Sequence, residues 1–243
     1  MKEFIEKVGK FSGEQIINPV LDHFRHKVEF FNLEIFGLPN LVDLKGKQFL
    51  MVSNHLMPAD KKSQQSQLSP DAFVLQQLVN EYNDQEMKTV SKCDDGWWAQ
   101  NLYRYFQKYV QQPFGKGMIE GIGQIPVFKN PGTVNKTFFQ AIKSIITEGK
   151  NPILIFPEGH WYEDFSPDHK LATGASRIAQ LHQIPVLPVY ISGARSWQPE
   201  TDVQVAFGSP FTAKDMSKEE VTETIRFKLT ELQKQAQRKE NNK

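Results

Sequence analysis

Apolar residues recur at helical spacing at the start of the chain. Phe4, Ile5, Val8 and Phe11 fall on one face over residues 2–12, opposite lysines. Asn18-Pro19 then supplies an N-cap and a first-position proline for a second short helix to about His26, with Val20, Leu21 and Phe24 on its apolar side. The period changes over 28–37 (VEFFNLEIFG), which predicts a strand, and over 48–53 (QFLMVS), a short run suited to burial on both faces. Residues 37–46 and the polar stretch 57–70 (MPADKKSQQSQLSP) carry neither period and predict loops. Ser69-Pro70 opens a helix continuing as DAFVLQQLVNEY, and a strand follows near 87–92.

Further along, WWAQNLYRYFQKYV at 97–110 predicts an aromatic-rich helix, and GIGQIPVFK at 121–129 a glycine-led strand. Over 133–148, Val134, Phe138, Ile142 and Ile145 share one helical face, with Gly149 placed as a C-terminal cap. NPILIF (151–156), VLPVYI (186–191) and DVQVAFG (202–208) predict strands, with a helix over 171–182 between the first two. Ser217 with Glu220 three residues later reads as a capping box for a last helix buried through Val221, Ile225, Leu229 and Leu232, and the tail QRKENNK reads as frayed. Strands alternating with helices predict an α/β fold: a mixed, mostly parallel sheet covered by helices on both faces, preceded by a short N-terminal helical segment. The expected division is an amphipathic segment over 1–27 and one domain over 28–238.

Composition narrows the classes without choosing among them. A chain of 243 residues is long enough for a substantial core. A net charge of +1 gives no overall field toward nucleic acid. The lone Cys93 cannot close an intramolecular disulfide, as suits a reducing compartment. The first ten residues are charged throughout and no apolar signal region follows, so no signal peptide is expected. No run approaches the roughly 20 apolar residues of a membrane span. A role on lipid would therefore be cytoplasmic and peripheral, with the N-terminal helix or the aromatic helix 97–110 either lying on a bilayer or packing on the sheet.

The chemistry concentrates at predicted strand ends. Strand 48–53 runs into Ser53-Asn54-His55, and Asp60 stands five residues beyond the histidine. A carboxylate that accepts from one imidazole nitrogen fixes the tautomer and frees the other nitrogen to take a proton from a hydroxyl. Strand 151–156 ends on Phe156-Pro157-Glu158-Gly159, where proline fixes one dihedral and glycine permits a positive one, holding the glutamate and backbone amides toward a cleft. Strand 121–129 ends on Lys129, a point charge suited to a phosphate. Prolines punctuate a fourth block, IPVLPVYISG at 184–193. Ligands of parallel sheets bind at the carboxyl ends of strands, where His55 and Glu158 both fall.

These blocks, in this order, resemble the glycerolipid acyltransferase family, with its N-H-x4-D, G-x-(I/F)-x-x-x-R, F-P-E-G and V-P-hydrophobic-x-P-V motifs. They stand here as Asn54-His55 with Asp60, Gly123 to Lys129, Phe156 to Gly159, and Ile184-Pro185 to Val189. EIFGLPNL (34–41), KLATGASRIA (170–179) and VAFGSPF (205–211) extend the likeness over roughly 28–211. The resemblance implies an O-acyltransferase in which His55 is the general base and a nearby aspartate orients it. The acyl donor would be acyl-CoA or acyl carrier protein as co-substrate, with no other cofactor, no metal and no acyl-enzyme. The acceptor would be a hydroxyl of a lysophospholipid or glycerophosphate, positioned by Lys129, Glu158 and neighbours in Phe156, Pro157, Gly159 and His160, with amides near Gly159 facing the oxyanion. A membrane surface is an implied partner and nucleic acid is not.

The chain departs from the pattern in three places, the first being Lys129 where the family has arginine, which gives up a bidentate grip on phosphate. In the family an apolar helix follows the aspartate directly; here Lys61-Lys62-Ser63-Gln64 follow Asp60, and the apolar helix begins at Asp71. Literal spacing places Asp60 first as the partner of His55, and the sequence after Asp71 favours Asp71. The family's Thr-Arg after F-P-E-G is His160-Trp161 here, which removes an arginine that grips the acceptor's phosphate and leaves Arg177 or Lys170 as substitutes. His23, His26, His169 and His182 show no metal-ligand spacing and read as structural. Rival functions are a thioesterase or lipid hydrolase, for which no G-x-S-x-G elbow is present, and a non-catalytic lipid-binding relative.

Overall fold

The computed structural model describes residues 2–66, 69–92, 112–121, 124–127, 134–149 and 151–240. The predicted helix 97–110, Gly123 and Lys129 lie outside the described residues. The short buried runs of the sequence become the strands β1 (Asn32–Phe36), β2 (Leu50–Ser53), β3 (Lys88–Lys92), β4 (Ile125–Val127), β5 (Ile153–Ile155), β6 (Val186–Ser192) and β7 (Asp202–Phe207). They form one sheet in the order β1-β7-β6-β2-β5-β3-β4. All neighbours are parallel except β6 and β7, so the sheet is mixed and mostly parallel, as the sequence predicts.

β2 sits at the centre, between β5 and β6, and every residue in it is buried. Alternate side chains enter opposite cores. Phe49 and Met51 join Leu41, Phe73, Leu75 and Leu78 on one face, while Leu50 and Val52 join Phe138, Ile142, Ile178 and Ile225 on the other. That two-sided burial is why the strand reads as an unbroken apolar run. The first face is covered by α2 (Asn18–Val28), α3 (Leu38–Val42) and α5 (Pro70–Asn83). The second is covered by α7 (Val134–Glu148), α8 (Gly174–His182) and α9 (Lys218–Glu240). At the start of α9, Ser217 Oγ accepts from the Glu220 N–H and Glu220 Oε2 accepts from the Ser217 N–H, which completes the predicted capping box.

Four expectations change, one of them at Gly121: read as the head of a strand over 121–129, it ends the helix α6 (Gln112–Gly121), and β4 covers only Ile125–Val127. The run 28–37 is a strand only from Asn32, because α2 continues through Val28 and a turn follows. The two loops each hold a short helix: α3 after Gly37, and α4 (Lys61–Ser66) within 57–70. The polar composition of α4 gives no apolar period, so its signal is a cap. Asp60 Oδ1 accepts from the Ser63 N–H at 2.8 Å, as an N-cap aspartate does. Last, the first two helices do not break apart at Asn18. A π turn, Gly13–Ile17, joins α1 (Lys2–Ser12) to α2, with the Asn18 N–H donating to the Gly13 carbonyl just ahead of Pro19.

α1 packs on α6 (Gln112–Gly121) through glycine rather than through its apolar stripe. A Cβ on Gly117 would fall 2.0 Å from the Glu6 carbonyl oxygen, and one on Gly121 would fall 2.3 Å from that of Lys10. Gly9 and Gly13 are buried on the α1 side of the same face. The backbones therefore touch, and Lys116 of α6 pairs with Glu6 beside the contact. Phe4, Val8 and Phe11 are turned outward, with Phe4 69% and Phe11 61% exposed.

Candidate active site

His55 follows the central strand by two residues, and Asn54 makes that exit rigid. The buried Asn54 side chain donates from Nδ2 to the Ile191 carbonyl and accepts from the Ile191 N–H at Oδ1, both at 2.9 Å. An amide side chain thus copies the backbone of a strand and extends the pairing with β6 past the end of β2. The His55 main chain is then held on both sides. Its N–H donates to Glu158 Oε2 at 2.8 Å, and its carbonyl accepts from the Tyr162 N–H at 3.1 Å. Met57 N–H returns to the Tyr162 carbonyl at 2.8 Å, so the histidine loop and the loop after the Phe-Pro-Glu-Gly bend are stitched as a parallel bridge.

The imidazole has a defined surrounding. Nδ1 lies 2.8 Å from Oδ2 of Asp71, whose side chain is fully buried in the first turn of α5. The same Asp71 oxygen accepts from the Leu56 N–H at 2.7 Å. Asp71, and not Asp60, is therefore the carboxylate on His55. The reason is local: Asp60 is committed to capping α4, and the chain uses that helix to travel from His55 to the start of α5. Ser69 Oγ donates to the Leu56 carbonyl at 3.0 Å and closes the end of the detour.

Phe156 stacks on one face of the His55 ring, with centroids 3.9 Å apart and planes 13° from parallel. On the other nitrogen, Trp161 Nε1 lies 2.5 Å from His55 Nε2. An indole N–H can only donate, so Nε2 is the accepting, unprotonated nitrogen and Nδ1 carries the hydrogen given to Asp71. The tautomer is thus fixed from both sides. The His55 side chain keeps 19% of its surface exposed, so the ring opens to solvent at the carboxyl end of β2.

Glu158 is buried and joins the His55 main chain to a second histidine. Its Oε1 lies 2.6 Å from His169 Nδ1. The His169 ring stacks on Tyr162 at 3.6 Å, and its carbonyl accepts from Arg226 of α9 at 2.6 Å. Burial pushes the Glu158 carboxyl above its ordinary range, while the hydrogen bonds from His169 and from the His55 amide pull the other way. Glu158 is thus a brace for the histidine loop, and His169, read from the sequence as structural, is part of that brace.

The remaining predicted residues fall as follows. Pro157 is buried and its carbonyl accepts from the Ala172 N–H at 2.6 Å. Gly159 has φ +65° and nothing within 4 Å of where a Cβ would be, and its own N–H donates to the Phe156 carbonyl at 3.2 Å to close the bend. That amide, expected to face an oxyanion, is used in the turn. His160 is exposed. Arg177 lies over the Phe139 ring, 4.7 Å from its centroid. Asn54, Trp161 and His169 carry parts that sequence reasoning did not give them. The usable signal was only that Asn54 adjoins the histidine and Trp161 stands where the motif changes.

A model of the family described as Acyltransferase matches residues 32–192. No curated protein matches the chain. Among solved structures, the chain is similar to the 1-acyl-sn-glycerophosphate (LPA) acyltransferase PlsC from Thermotoga maritima, with 18% identity and a TM-score of 0.51 over 88% of this chain and 79% of that one.

Proposed function

Since the chain belongs to the Acyltransferase family, we propose that it moves a fatty acyl group from a thioester, acyl-CoA or acyl carrier protein, to a hydroxyl of a lysophospholipid or glycerophosphate-type lipid. The observation that carries this reading is the His55–Asp71 pair at the carboxyl end of the central strand, with Nδ1 held at 2.8 Å and the ring partly open. Nε2 takes the proton of the acceptor hydroxyl as its oxygen attacks the thioester carbonyl. The tetrahedral intermediate collapses with cleavage of the carbon–sulfur bond, and the leaving thiolate takes the proton back from Nε2. Asp71 stabilises the imidazolium between those two transfers. Neither a metal nor an acyl-enzyme enters these steps. Screening lysolipids and glycerol 3-phosphate against both thioester donors, with products read by mass spectrometry, tests the reading. An acylated lipid supports it; free fatty acid as the sole product with every acceptor would make the protein a hydrolase.

The lipid partner is met at a membrane surface through α1. Its outward stripe of Phe4, Val8 and Phe11, beside the exposed Lys7 and Lys10, suits an anionic bilayer, and the backbone contact with α6 leaves that stripe free. Among the described residues no helix is long and apolar enough to cross a membrane. In vesicle flotation the protein is expected to rise with anionic vesicles, and a Phe4→Ser, Phe11→Ser double variant to stay behind. A double variant that floats as well as the unaltered protein removes α1 as the docking element.

A further inference from the structure

We infer that Trp161 is a specificity-determining residue: its indole N–H keeps the base nitrogen of His55 from water, and an acceptor hydroxyl takes its place. The inference rests on His55 being the general base, and it adds how that base chooses between two nucleophiles.

Three contacts leave the imidazole no idle acceptor. Asp71 holds Nδ1 at 2.8 Å, Phe156 covers one face at 3.9 Å, and the indole N–H occupies the lone pair of Nε2 at 2.5 Å. The two rings meet edge to face, at 68° and 5.7 Å between centroids, so the indole lies at the side of the imidazole where a reacting hydroxyl must arrive. A lone pair that is accepting from Nε1 cannot at the same time accept from water. Proton removal from any nucleophile therefore waits for Trp161 to leave.

The surroundings permit that departure. Trp161 is only half-buried, and two residues before it Gly159 holds a left-handed backbone with open space beside its Cα. One residue after it, Tyr162 is pinned to His55 and Met57 through the main chain. The movement is thus confined to the Trp161 side chain and the 159–161 segment, and it leaves the His55 loop in place. Water gains nothing from opening this contact beyond exchanging one hydrogen bond for another. A lipid acceptor is held by its other atoms, and that binding offsets the displacement of the indole. The same contact therefore disfavours hydrolysis of the thioester and spares transfer.

Trp161→Phe keeps a flat ring and removes the N–H. The test incubates the full-length protein with oleoyl-CoA, with and without a mixture of lysophosphatidic acid, lysophosphatidylglycerol and lysophosphatidylethanolamine, and measures free oleate against diacyl product. The ratio of hydrolysis to transfer is expected to rise about fivefold in Trp161→Phe, the scale of one lost hydrogen bond. An unchanged ratio, in a protein whose unaltered form makes diacyl product, overturns the inference and leaves the transferase reading intact. If the unaltered protein makes no acylated lipid with any donor and acceptor of the screen above, both fall. A second readout does not depend on the variant folding well. In ¹H–¹⁵N spectra of the unaltered protein, one indole N–H resonance is expected to move when lysolipid is added, and the same resonance to move in His55→Gln. Indole resonances indifferent to both changes would place Trp161 outside the reaction.

Discussion

Asp71→Asn is expected to cut acyl transfer about a thousandfold, a loss approaching that of His55→Ala. Asp60→Asn is expected to leave transfer within about twofold, because asparagine caps a helix about as well as aspartate. The difference follows from where each acid is spent. Asp71 is fully buried and gives one oxygen both to the His55 ring and to the Leu56 amide. An asparagine there either turns its NH2 onto both the protonated Nδ1 and the Leu56 N–H, or keeps its oxygen on those two and turns its NH2 onto the Ala72 N–H, which Asp71 Oδ1 accepts in the unaltered protein. The first orientation loses the tautomer that exposes Nε2 as a base, the second loses the capped helix start, and both lose the charge that steadies the imidazolium. Initial rates with saturating thioester and acceptor decide the matter. Equal rates for Asp71→Asn and the unaltered protein would remove the dyad, and with it the proposed reaction.

Glu158→Ala is expected to cost about 3 kcal/mol of stability and about a hundredfold in transfer. Truncation strips a wholly buried carboxylate from two donors, the His55 amide at 2.8 Å and the His169 ring at 2.6 Å. The stability loss comes from leaving those groups unpaired in the interior. The rate loss comes from a His55 loop that is no longer braced, since small misplacements of a base are costly. Glu158 also has a pH signature. Burial raises its carboxyl above the ordinary 4.5, so the folded chain holds that proton more tightly than the unfolded one. Its contribution is fully present below about 4.5 and is lost as pH rises through the higher value in the fold. The melting temperature of the unaltered protein minus that of Glu158→Gln is therefore expected to fall as pH rises above 4.5. A difference that grows with pH would reverse the assignment.

The fold was largely legible because each central strand is buried on both faces. β2, β5 and β6 each read as short apolar runs, and the alternation with helices then led to a parallel sheet. The elements misread were those whose stability comes from elsewhere. α4 is polar and depends on its Asp60 cap; the helical start of the run 28–37 shares its apolar composition with the strand that follows; and the π turn before Pro19 has no periodicity of its own. At the site, His55 and Glu158 could be placed because both end apolar strands. Their partners could not be ranked, because a count of residues carries no information about the path between them. Asp60 has the closer number and Asp71 the closer atom. Trp161 first stood out only as the absence of an arginine. Its contact with Nε2 depends on the Leu56–Tyr162 bridge, which brings together residues 106 apart in sequence.

The base and the acid that steers it are 16 positions apart, each fixed by its own anchorage in the sheet or at a helix start. Proton relay thus imposes a meeting point and leaves the itinerary open. The excursion through α4 can be lengthened, shortened or recoloured without touching the couple it connects, which makes it the natural place for the chain to vary.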